Sequence, residues 1–170
     1  MNSTKQAARF AGLLYVLASI PGVVSLIYIP SHFIVSGDAA ATANKIAASP
    51  SVFLFGIVCE IAGFTGFIFV VRALYHLLSG VDKAQASLML TLMLVSIPIS
   101  LLNVLNEFAA LMLIRGPSFL SVFDKPQRDA LAMLFLNVHF QGFMVAQVFW
   151  GLWLIPFGIL VFRSGSFLEF

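Results

Sequence analysis

Two carboxyl groups and an imidazole stand where such groups are expensive. Glu60, Glu107 and His139 each lie within a long apolar stretch of the chain. A charged group at the centre of a membrane helix costs about 2.5–3.5 kcal/mol on insertion scales, so each needs a partner or a purpose. A buried carboxyl can hold a proton or a cation. An imidazole can exchange a proton near neutral pH or ligate a metal. Polar neighbours accompany them at helical spacing. Ser96, Ser100, Asn103 and Glu107 follow at steps of four, three and four residues, one stripe of a helix, with Asn106 one turn from Asn103. His139, Gly142, Ala146, Trp150 and Trp153 form a second stripe, bordered by Gln147. Glu60 shares a face with Gly56, Gly63 and, less closely, Gly66, where another helix can approach closely. Tyr15, Ser19 and Gly22 mark one face of the first apolar stretch.

The candidate intramembrane polar pocket is therefore Glu60, Asn103, Asn106, Glu107, His139 and Gln147. For the amides, interhelical hydrogen bonding is the simpler role, worth about 0.6 kcal/mol per bond. A carboxyl is a poor choice for mere attachment, and for Glu60 and Glu107 the structural and functional readings both stand. Glu107 is seven residues from Ile114, a position that also suits the far interface. Arg72 and His76, one turn apart near the end of the second stretch, read as interface anchors whose heads snorkel outward. Trp150, Trp153 and Tyr75 suit an aromatic belt, although the two tryptophans sit deep. Two Glu and one His are in principle a metal-ligand set. However, neither a Glu-x-x-His nor a His-Glu-x-x-His pair is present, so no metal and no cofactor are expected. G-x-S-x-G, P-loop, Rossmann and haem-attachment motifs are also missing, and no catalytic residue is assigned.

The elements that must position these groups follow from composition. The chain has 170 residues, 61% hydrophobic and 9% charged. Soluble domains are about half apolar and a quarter charged, so this is an integral membrane protein. Four apolar blocks, 10–35, 52–78, 85–114 and 131–162, each exceed the roughly 20 residues that cross a bilayer core. No recurring strand-like alternation appears, so the expected fold is an all-α bundle of four long transmembrane helices in a single domain. The basic start "MNSTKQAARF" precedes an apolar run with no small-residue cleavage site, which reads as an uncleaved first span. Pro21, Pro30, Pro98 and Pro156 should kink their helices, and the first should end near Ile29.

Asp38 is a good N-cap for "AAATANKIAAS", which predicts a short interfacial helix ended by Pro50. "SGVDKAQ" reads as a tight turn, and Asp124 or Lys125 before Pro126 reads as a helix start. Phe167, Leu168 and Phe170 suggest a tail on the membrane surface. The termini share one side with Arg72 and Lys83. The other side carries Lys45, Arg115, Lys125 and Arg128. The balance is close, and Lys5 with Arg9 points to cytoplasmic termini. No run of basic residues offers a nucleic-acid surface. Cys59 alone makes neither a disulfide nor a cysteine metal cluster.

Three stretches resemble a known family. "ARFAGLLYVLASIPG" (8–22), "SGDAAATANKIAAS" (36–49) and "LFLNVHFQGFMVAQVFWGLWLIPFGILVFRSG" (134–165) are similar to the bacterial and archaeal membrane proteins called domain of unknown function 4386. That family reads A-R-x-A-G-L-L-Y, then G-D-A-A-A-T-A-x-x-I, then L-H-x-x-G-F and an R-S-G exit. Val138 stands here where many members have Leu. Members run on into further apolar helix after R-S-G, so the resemblance implies either a short member or one lacking its last C-terminal helices. It implies a multi-helix fold in a bacterial or archaeal cytoplasmic membrane and no known activity.

Three functions compete. The first is a protein that binds or passes a small ligand, ion or proton through the polar pocket. The second is a structural or regulatory subunit whose stripes contact a second copy or another membrane protein. The third, with least support, is an enzyme acting on lipid through His139 and a carboxylate. The lipid bilayer is a partner in all three.

Overall fold

The computed structural model describes residues 2–165; Phe167, Leu168 and Phe170 of the expected surface tail lie outside it. Among the described residues all regular structure is helical. Helix α1 (Asn2–Val23) passes through a π turn (Val24–Tyr28) into α2 (Ile29–Phe33). The short α3 (Ala39–Ala48) precedes α4 (Pro50–Leu78). Then come α5 (Lys83–Asn103) and α6 (Leu105–Arg115), a 3-10 turn (Ser118–Leu120), α7 (Lys125–Leu152) and α8 (Leu154–Arg163). Four stretches are long and apolar enough to span a bilayer: Lys5–Phe33, Pro50–Leu78, Lys83–Arg115 and Lys125–Arg163.

Local chemistry sets the ends. Asp38 caps α3 by accepting from the Ala41 N–H at 2.8 Å, and Pro50 opens α4. Thr42 Oγ1 accepts from the Val35 N–H at 3.0 Å and ties α3 to the exit of the first span. Asp82 caps α5 and also pairs with Arg163 at the end of α8, which fixes those two ends together. Asp124 and Gln127 form a reciprocal capping box at the start of α7.

Spans adjacent in sequence pack side by side. The first lies on α4, α4 on α5, and α5 and α6 on α7, while α3 lies across one end against α7 and α6. The first span makes no comparable contact with α7 or α8 and is the least buried of the four. The spans thus form an open arc with a cleft between the first and the fourth. Small residues let the first span approach α4. A Cβ on Gly56 would collide with Ile29, and one on Gly66 would sit 3.1 Å from the Ala18 methyl. The core at the α3 end centres on Phe33, Phe53, Ile57 and Ile97, with the Phe33 and Phe53 rings edge to face at 5.5 Å. A second core near the opposite end joins Val71, Met89, Trp153 and Leu160.

The proline kinks fall differently from expectation. The first span does not end near Ile29 but continues to the fully buried Phe33. The π turn absorbs the disruption: the Ile29 N–H reaches back five residues to the Val24 carbonyl, and Pro30 takes a first-turn position of α2. Pro98 sits within a continuous α5, and the third span breaks later, at Val104. The fourth breaks at Trp153, where the missing Pro156 donor leaves the ladder open.

Candidate functional site

The arc brings Glu60 on α4, Glu107 on α6 and His139 on α7 to one point. His139 Nε2 lies 3.6 Å from Glu60 Oε2 and 4.0 Å from Glu107 Oε1. One ligand atom from each residue falls within 4.8 Å of the other two. Glu60 is 4% exposed and Glu107 7%.

The break at Val104 builds this site. Beyond it the Glu107 N–H donates to the Val104 carbonyl at 3.0 Å, three residues back. The Asn103 carbonyl, left out of the helical ladder, accepts from Asn106 Nδ2 at 3.0 Å and faces His139 Nδ1 at 3.3 Å. Asn103 Nδ2 in turn donates to the His139 carbonyl at 2.7 Å. The third span is therefore clamped to the fourth at the residue that presents the imidazole. Gly142, one turn from His139, leaves the space: a Cβ there would overlap the Asn103 amide.

Two cavities meet at this cluster. One, of about 460 Å³, runs along the cleft toward the chain termini, between Tyr15, Gly22, Phe67 and Trp150, and has Glu60 in its wall. The other, of about 450 Å³, extends toward α3, past Pro30, Ser36 and Asn137, and has Glu107 and His139 in its wall. Ser25 and Leu26, on the π turn, border both. The cluster thus contributes Glu60 to the wall of one space and Glu107 and His139 to the wall of the other.

Comparison with known proteins adds one relationship. The family described as Domain of unknown function (DUF4386) matches residues 10–170, nearly the whole chain. The chain belongs to this family. No curated protein and no solved structure matches it. The stretch around His139, Gly142 and Phe143 that carries the resemblance helps to build the site. His139 presents its ring to the carboxyls, and Gly142 admits the Asn103 amide that holds the His139 backbone. The G-D-A-A-A-T-A stretch at 37–43 likewise contains the Asp38 cap and the buried Thr42.

The remaining sequence candidates sort by contact. Asn103 and Asn106 support the cluster through hydrogen bonds. Gln147 does not reach it: the residue is exposed, rotated about 80° around α7 from His139 at 100° per residue. Arg72 and His76 are exposed near the end of α4, away from the cluster. Trp150 belongs to the bundle interior and not to a belt. Its Nε1 donates to Ser96 Oγ at 3.2 Å, and its ring packs on Phe64 and Phe143. Trp153 is buried in the second core. Ser25 was missed by sequence reasoning. Its signal was the pair Pro21 and Pro30, which flank it and force the helical ladder to change between them.

Proposed function

We propose that this membrane protein binds a small cation at Glu60, Glu107 and His139 and passes it between the two cavities. One observation carries the reading: the walls of the two cavities share a cluster of two buried carboxyl groups and an imidazole, contributed by three different spans. Such groups are costly in a membrane unless they pair with or exchange positive charge. The amide bonds of Asn103 and Asn106 suffice for a purely structural subunit. They do not account for two carboxyls placed against each other where the cavities meet.

The test is flux. The purified protein is reconstituted into sealed vesicles that hold a pH dye or a metal-sensitive dye, and an inward gradient is applied. The wild type should admit a proton or metal ion well above protein-free vesicles. E60Q/E107Q, reconstituted in equal amount, should fall to the protein-free rate. Equal rates for the two proteins, or no cation flux at all, would overturn the proposal.

A further inference from the structure

We infer that the cluster binds a divalent first-row transition-metal ion of the Zn²⁺ or Mn²⁺ class, held by Glu60, Glu107 and His139; this rests on the cation reading above and names the cation. Charge is the first argument. With both carboxyls ionised and the imidazole neutral, the set carries a formal charge of −2, which one divalent ion cancels. No Lys or Arg supplies that charge. Among the described residues, Lys and Arg salt bridges join only Lys125 to Asp129 and Arg163 to Asp82, away from the cluster.

Distance is the second. The separations of 3.6 and 4.0 Å from His139 Nε2 are too long for hydrogen bonds. They are close to the spacing of about 3–4 Å between atoms that share an ion at bonds of about 2.0–2.2 Å, and all three ligand atoms lie within 4.8 Å of one another. The orientation of the ring is the third. His139 Nδ1 lies 3.3 Å from both the Asn103 carbonyl and Asn103 Nδ2; in the tautomer with its hydrogen on Nδ1 it donates to that carbonyl and turns the Nε2 lone pair toward both carboxyls. A metal-bound histidine characteristically donates its other N–H to a carbonyl in this way. A bare Nε2 facing two carboxylates would be an arrangement of acceptors only.

Unmet polar groups are the fourth. Glu107 Oε2 and Ser100 Oγ are buried with no hydrogen-bond donor or acceptor among the described residues. Glu107 is more than nine-tenths buried, so an unmet carboxyl oxygen there is costly. An imidazole nitrogen beside two carboxyl oxygens favours first-row transition ions over Mg²⁺ or Ca²⁺, which prefer six or more oxygen ligands. Three protein ligands leave coordination positions open toward the cavities, as exchange of the ion would require.

The experiment uses the full chain in mild detergent, stripped with chelator and titrated with Zn²⁺, Mn²⁺ and Mg²⁺ by calorimetry. The expected result is one Zn²⁺ or Mn²⁺ per chain and far weaker Mg²⁺ binding, with Zn²⁺ raising the melting temperature. E60Q, E107Q and H139Q should each weaken binding by more than the roughly 10–100-fold typical of losing a supporting residue. The Zn²⁺-induced rise in melting temperature should vanish in the triple variant. Wild-type selectivity and thermal shift do not depend on any variant folding. No uptake by folded wild type, or equal uptake by the triple variant, overturns the metal assignment. If the wild type takes up no metal yet conducts protons through Glu60 and Glu107, the metal falls and the cation reading survives. If it neither binds metal nor conducts any cation, both fall.

Discussion

The Asn103 side chain donates to the His139 backbone carbonyl at 2.7 Å, across the interface of the third and fourth spans. This bond joins the residue at the helix break to the residue that carries the imidazole. Asn103→Ala removes it and leaves the His139 carbonyl to its own helix. Interhelical bonds in membranes reach about 1.7 kcal/mol at most, so a loss of about 1 kcal/mol is expected in a denaturant titration. Cation binding should weaken as well, because the ring loses its fixed orientation. Unchanged stability and unchanged binding would together remove the clamp from the mechanism.

Gly142→Ala tests the same interface from the other side. A methyl there overlaps the Asn103 amide, so Asn103 must shift away from His139. Overpacking of this kind costs about 1–3 kcal/mol. Gly158 is the control, because nothing lies within 4 Å of its added Cβ. Gly158→Ala should be neutral or stabilising by up to about 1 kcal/mol through helix propensity. Comparable melting temperatures for the two variants would contradict the close approach at Gly142.

Trp150→Phe retains most of the ring packing against Phe64 and Phe143 but deletes the hydrogen bond to Ser96. Ser96 keeps its own bond to the Met93 carbonyl at 2.8 Å. The expected cost is about 0.5–1.5 kcal/mol. Ser96→Ala in the Trp150→Phe background should then cost almost nothing further. An additive double variant would show that the two residues do not interact.

Asp82 has two jobs and Arg163 one. Asp82 accepts from the N–H groups of Ala84 and Gln85, at 3.0 and 3.1 Å, and pairs with Arg163. Arg163→Ala removes only a half-exposed ion pair and should cost at most about 1 kcal/mol, less at high salt. Asp82→Ala also loses the cap of α5 and should cost about 1 kcal/mol more. Equal losses would mean that the cap contributes nothing.

Much of this architecture was legible in the sequence, because length and hydropathy alone mark four spans. Short-range chemistry was legible too: Asp38 and Asp124 stand where caps are needed, and both cap. The stripe of Ser96, Ser100, Asn103 and Glu107 foretold an inward face. What it faced was not legible, because periodicity within one helix says nothing about which helix lies opposite. Glu60 and His139 meet Glu107 only through the packing of four spans. Proline positions misled for a related reason. Pro98 is tolerated inside α5, whereas the break at Val104 accompanies a carbonyl that bonds to Asn106 and faces His139 on another span. Gln147 borders the His139 stripe by helical spacing, yet a separation of eight residues leaves it exposed and out of the cluster.

The most direct measurement is the initial rate of cation entry into vesicles that carry equal amounts of wild type, E60Q/E107Q and Ser25→Trp. The first variant removes the acids, and the second fills the junction bordered by Ser25 while leaving the acids in place. Passage by way of the Glu60–His139–Glu107 cluster predicts that both variants fall to the rate of protein-free vesicles. A wild-type rate in E60Q/E107Q would contradict it.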